Sequence, residues 1–202
     1  MSIIDVTRTH EVIDALFANE VVGIPTDTVY GLAAMPNRTA IKRMIDLKKG
    51  RDKDQPIAIL FSELEKLEQY GVDFKKIQSL GEFWPGALTV VTSASTNLLP
   101  IPVVTEEGTV GVRIPDNEIA IQIIRKCGGV LAVSSANHHG DKPALNASEV
   151  TQQFGDELLV LDGGVSPGGT ASTVIDMTSE TPTVLREGEI NIEEIKRCLS
   201  KD

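Results

Sequence analysis

The stretch EVVGIPTDTVYGLA, Glu20 to Ala33, begins as a strand and ends as something else. Glu20 to Asp27 carries the β-branched run of a buried strand, closed by a proline. Thr26, Asp27, Thr28 and Tyr30 then crowd polar groups at the carboxyl end of that strand, where α/β sheets bind ligands. A polar turn around one buried tyrosine is the other reading of the same residues. Seven further runs of the first kind occur at 56–61, 87–94, 109–115, 130–136, 157–163, 172–178 and 182–187.

Helical periodicity fills several of the gaps. Residues 9–19 place Val12, Ile13, Leu16 and Phe17 on one face, and residues 38–48 do the same with Ile41, Met44, Ile45 and Leu47. Residues 117–127 follow suit with Ile119, Ala120, Ile123, Ile124 and Cys127. Asn37 is placed as the cap of the second helix and Asp116 or Asn117 as that of the third. Ser148 would cap a short helix to Phe154, and a last helix runs from Ile192 to Leu199. The alternation is broken near the end, where three strands follow with little helix between them. The pattern predicts one α/β domain over 1–202, with a twisted mixed parallel and antiparallel sheet flanked by helices.

Bulk properties narrow the function. With 202 residues and a formal net charge of −10, the chain offers no general basic surface for a phosphate backbone. Within residues 42–53, however, Lys42, Arg43, Lys48, Lys49, Arg51 and Lys53 face only Asp46 and Asp52. That window is +4 and leaves −14 for the remainder. A solvated face accounts for such a cluster, and so does a site for a small polyanion. Cations near a helix end gain about 0.3–1 kcal/mol from the dipole, enough for one or two of them. Gly50 suits a helix C-cap, which would fix how Lys49 and Arg51 leave the helix. Two distant cysteines fit a reducing compartment. The N-terminus lacks the charged-then-apolar pattern of a signal peptide, and no apolar run approaches the ~18 residues that span a bilayer. A cytoplasmic protein without membrane contact is expected.

No Walker-type loop, G-x-G-x-x-G, nucleophile elbow or H-E-x-x-H motif is present. Adjacent His138 and His139 point apart on extended chain, so no metal site is assigned. In VSSANHHG, Ser135 and Asn137 are two apart and share a side on extended chain. The late segments SPGGTASTVID and VLREG add Gly168, Gly169, Ser172, Thr173 and Arg186, with the paired glycines read either as a connector or as a loop that closes over a ligand.

Taken together and in order, PTDTVYGLA, KGR with QPIAIL behind it, WPGALTVV, GVRIP, SSAN, STVID and VLREG resemble the YrdC/TsaC family of threonylcarbamoyl-AMP synthases. The segments span residues 25–188. The resemblance implies a single α/β domain with a basic concave cleft, in the family's short form. It implies a nucleotidyltransferase that joins L-threonine, bicarbonate and ATP, taken with Mg²⁺, into threonylcarbamoyl-AMP and pyrophosphate. A downstream tRNA threonylcarbamoyl transferase system would use the product to make threonylcarbamoyladenosine, with direct tRNA binding by this chain weak or absent. Carried over by motif, Lys49 and Arg51 would be catalytic and would face the ATP phosphates, with Asn137 and Arg186 at the nucleotide. Thr26, Arg113, Ser135 and Ser172 would hold threonine, Arg113 through its carboxylate. Two departures stand out: His138-His139-Gly140 replaces a small apolar residue followed by Ser-Gly, and Leu145 replaces a hydroxyl residue, so that one nucleotide contact would be either lost or supplied by Asn146. Two rivals are an RNA-binding or ribosome-assembly module and a carbamoyl-adenylate enzyme of metallocentre assembly. The low aromatic content counts against the first and the lack of fused domains against the second.

Overall fold

The computed structural model describes residues 2–48, 57–95, 99 and 103–200. Their strands form one ten-stranded sheet. In chain order these are β1 (Ile3–Asp5), β2 (Val22–Ile24), β3 (Gly31–Ala34), β4 (Ala58–Phe61), β5 (Leu88–Ser93), β6 (Thr109–Arg113), β7 (Val130–Ser135), β8 (Leu159–Asp162), β9 (Thr173–Asp176) and β10 (Thr183–Arg186). The spatial order is β1-β8-β2-β3-β7-β4-β6-β5-β9-β10. Pairs β1/β8, β2/β8, β4/β6 and β5/β9 are parallel, and the other five are antiparallel. The mixed α/β sheet expected from the broken alternation is therefore present.

The helices are α1 (Thr9–Phe17), α2 (Arg38–Leu47), α3 (Glu65–Gln69), α4 (Glu118–Lys126), α5 (Ala147–Phe154) and α6 (Ile192–Leu199). Asparagine caps four of them, because its short side-chain oxygen reaches the amide two or three residues on. Asn37 and Asn117 accept from Ala40 and Ala120 as expected, and Asn191 accepts from Glu193. At α5 the cap is Asn146, not Ser148. Asn146 Oδ1 accepts from the Glu149 amide while its Nδ2 donates to the Glu149 carboxylate, which also accepts from the Leu145 amide.

Because side chains alternate across a strand, the sheet has two faces and two cores. On one face Leu32, Ile59, Phe61, Val90, Val112 and Ala132 pack with Ile41, Met44, Val150 and Ile195 from α2, α5 and α6. On the other, α1 and α4 bring Val12, Leu16, Ile123 and Ile124 onto Val22, Ile24, Leu131 and Leu161. The second core stops near β4. From there to β10 the same face carries the cavity described below.

Strands β1 and β3 and helix α3 carry too weak a signal to be read locally. β3 is Gly-Leu-Ala-Ala, with no β-branched residue, and it forms because it closes a hairpin on β2 and pairs with β7. Tyr30 anchors its start. The fully buried ring ends in a hydroxyl that donates to Gly164 O (2.9 Å) and accepts from Gly163 N (3.0 Å), beyond β8. Desolvation pushes its phenol pKa up, which keeps that donor in place. Tyr30→Phe leaves both backbone groups without their partner and should cost about 1–3 kcal/mol, read as a lowered denaturation midpoint at unchanged m-value.

Candidate active site

A cavity of about 560 Å³ opens on the half of the sheet face beyond α4. Its walls are alternate residues of β4, β5 and β6, residues of β7, β9 and β10, the turn between β2 and β3, and the segments that follow β7 and precede β9. The side chains lining it include Lys48, Arg113 and Arg186 and no carboxylate among the described residues. In a chain of net charge −10 this is a local inversion of sign.

Arg113 ends β6 and is 6% exposed. Its Nη2 lies 2.6 Å from Asp27 Oδ1, its Nη1 donates to Thr28 Oγ1 (2.9 Å) and its Nε donates to Gly86 O (2.9 Å). Burial presses its pKa down, opposed by the Asp27 charge and, more weakly, by Glu189. Arg186, on β10, is exposed as a residue, yet its guanidinium reaches inward to Ser172. Nε donates to Ser172 O (2.9 Å) and Nη2 to Ser172 Oγ (3.1 Å). Desolvation and then the positive charge of Arg113 lower its pKa. Two guanidinium groups thus repel each other across the cavity, an arrangement that favours an anion between them.

The sequence did not single out Lys48. Helix α2 stops at Leu47, and Lys48 is its C-cap, 4% exposed. Its Nζ donates to Ser135 O (2.6 Å) and Ser134 Oγ (2.9 Å). Helical periodicity alone continues through 48, and only the neighbouring β7 decides that the side chain turns inward. Lys49, Arg51 and the expected cap Gly50 lie outside the described residues.

Six of the anticipated residues meet here: Thr26, Arg113, Ser135, Asn137, Ser172 and Arg186 all line the cavity. Their engagements differ from what spacing implied. Thr26 Oγ1 donates to Val29 O (2.6 Å) and holds its own turn, so Thr28 is the hydroxyl presented to Arg113. Ser172 Oγ shares a 2.7 Å hydrogen bond with Thr89 Oγ1, a partner the motifs did not reveal. The chain turns at Asn137, whose amide N–H donates to Ser135 O. Extended geometry therefore ends at Ser135, and Asn137 uses its Nδ2 to bind His138 O and Asp141 O. His139 reaches the rim, whereas His138 packs on Phe154, with ring centroids 4.6 Å apart. Cys127 is no ready nucleophile, since burial pushes its thiol up to about 11.

Fold and site together define a class: a mixed-sheet α/β protein with a cavity lined by cationic and hydroxyl side chains on one sheet face. The family model for Sua5/YciO/YrdC, described as "Telomere recombination", matches residues 14–188, and the chain belongs to that family. A Bacillus subtilis relative named threonylcarbamoyl-AMP synthase is 35% identical over 184 residues, which is 90% of this chain and 53% of that protein. The chain thus spans about half the length of that relative. A Chromohalobacter salexigens protein of the same name is 30% identical over 175 residues, covering 85% of this chain and 94% of its own. The crystal structure of P. abyssi Sua5 complexed with L-threonine superposes with a TM-score of 0.92 at 32% identity, covering 98% of this chain and 61% of that one.

Removing the carboxylate beside Arg113 should expose how much the site depends on it. Asp27→Ala leaves a buried guanidinium without its charged partner, and a loss of about 3–5 kcal/mol in unfolding free energy is expected by urea titration.

Proposed function

We propose that the chain forms threonylcarbamoyl-AMP and pyrophosphate from L-threonine, bicarbonate and ATP, as a nucleotidyltransferase. The observation that carries this reading is the cavity wall, where Lys48, Arg113 and Arg186 converge without an acidic residue among the described ones, in a chain whose relatives bear that enzyme's name.

The threonine amine attacks the carbon of bicarbonate and water leaves, giving a carbamate. A carbamate oxygen then attacks the α-phosphorus of ATP. The bond from that phosphorus to the bridging oxygen breaks, and pyrophosphate departs with its electrons. Three anions must occupy one cleft, so charge neutralisation and alignment are the main demands on the protein. Orientation of bound reactants contributes up to about 7–11 kcal/mol in favourable cases. Arg113, fixed on three sides, would hold the threonine carboxylate, with Thr26, Ser135 and Ser172 around the amino acid. Arg186 and Asn137 would face the nucleotide, and Lys49 and Arg51 the phosphates. Lys48 would fix the end of β7 that presents Ser135. No cluster of three or more His, Cys, Asp or Glu stands among the described residues. Mg²⁺ would arrive with ATP, held by the triphosphate.

The product is a mixed anhydride whose consumer must be an acyl-acceptor system, here the one that modifies tRNA. A cytoplasmic location would fit a supplier of that system. No described helix is long and apolar enough to cross a membrane. A net charge of −10 favours weak or absent direct tRNA binding. The relatives' names support this reading over the RNA-binding module.

Pyrophosphate release should require threonine, bicarbonate, ATP and Mg²⁺ together. Lys49→Ala and Arg51→Ala should each lower it by on the order of 100-fold or more, with unchanged thermal unfolding. Full threonine- and bicarbonate-dependent turnover by either variant removes the assigned roles, and no release by the parent protein removes the function.

A further inference from the structure

Three glycines lie inside strands that cross the cavity half or its border: Gly23 in β2, Gly31 in β3 and Gly111 in β6. Two are explained by packing. A Cβ on Gly23 would stand 3.0 Å from Val160 Cγ1, and one on Gly31 would stand 2.6 Å from Val133 Cγ1. Gly111 is different. A Cβ there would meet Thr89 Cγ2 at 3.5 Å and Ala58 Cβ at 3.8 Å, which are ordinary contacts, and its backbone is not in the left-handed region. Neither the fold nor the backbone conformation requires glycine at this position. A strand-interior glycine without such a reason marks a place where something else comes close.

The surroundings say what. Val133, Ala58, Gly111 and Val91 sit side by side across β7, β4, β6 and β5 and all line the cavity. They form a low, flat, apolar floor about three strand spacings wide, roughly 14 Å. Val91 belongs to neither hydrophobic core, nor do Val174 and Leu185, which also line the cavity. Leu185 is 57% exposed and lies at a break in the β9/β10 register, where a bulge re-aims side chains. Apolar surface is thus gathered beside, and not within, the arginine and hydroxyl groups. An anion has no use for it, and a threonine methyl group is too small to cover it.

We infer that Gly111 is a specificity-determining position whose missing side chain lets the planar base of the nucleotide lie on the floor formed by Ala58, Gly111 and Val91. The inference rests on the nucleotide-using function proposed above. The base gives up water against an apolar surface, while the charged groups of the nucleotide turn toward the guanidinium groups. A side chain at 111 would lift the ring off its neighbours.

Two probes separate the base from the phosphates: AMP, which carries both, and inorganic tripolyphosphate, which carries no base. Their dissociation constants are measured by calorimetry on the full chain and on Gly111→Ala and Gly111→Val. Gly111→Ala, whose added atom has room in the protein, guards against a folding defect in Gly111→Val. The expected result is weaker AMP binding, by about tenfold or more for Gly111→Val and less for Gly111→Ala, with tripolyphosphate binding unchanged in both. AMP binding unaltered in both variants overturns the inference. So does an equal loss of both ligands, which would place phosphates on the floor. Parent protein that binds tripolyphosphate but not AMP overturns the inference and leaves an anion site, whereas parent protein that binds neither overturns the proposed function itself.

Discussion

A buried guanidinium has to be held by something, and the hold on Arg113 organises this molecule. Asp27 supplies the opposing charge at 2.6 Å, Thr28 a hydroxyl and Gly86 a carbonyl, so two separate chain segments are tied to the end of β6. Desolvating a cation is expensive, and the interaction is sustained only because each bond is short and the carboxylate is itself largely enclosed. The turn between β2 and β3 therefore cannot drift from β6 without uncovering a charge. The glycine loop before β9 leans on the same turn, where Gly168 and Gly169 donate to the carbonyls of Asp27 and Thr28.

Around that hub the sheet is asymmetric in its cover. One face is packed throughout with aliphatic side chains, whereas the other is packed by α1 and α4 only as far as β4. Beyond that line the alternation continues, but the outward residues become Thr89, Arg113 and Ser172, interleaved with Val91, Gly111 and Val174. A binding site and an apolar floor thus come from the same period-two rule that builds the core. Where no helix covers the face, the sequence puts hydroxyls, cations and small side chains.

Much of this was legible in residue order. Asparagine caps announce themselves because their chemistry is local, and β-branched runs mark most of the strands for the same reason. The polar clusters at strand ends were visible as clusters, and six of the residues named from them line one cavity. Other features had no local signature. Gly31–Ala34 is a strand because two partners present their edges to it. Asn146, and not Ser148, caps α5 because Glu149 reaches back to it. Lys48 reads as one more cation in a basic window, and its burial depends on β7, more than eighty residues away.

The sequence by itself determined the alternation of elements, the helix caps, the mixed sheet and the family's residue set, since each follows from short-range periodicity or from a motif a few residues long. Tertiary structure alone decided which of those residues meet. The pairing of Asp27 with Arg113, of Ser172 with Thr89 and of Lys48 with the end of β7 joins positions far apart in the chain. Such contacts depend on strand order, and strand order is set by burial of both sheet faces at once, a global condition that no window of sequence contains.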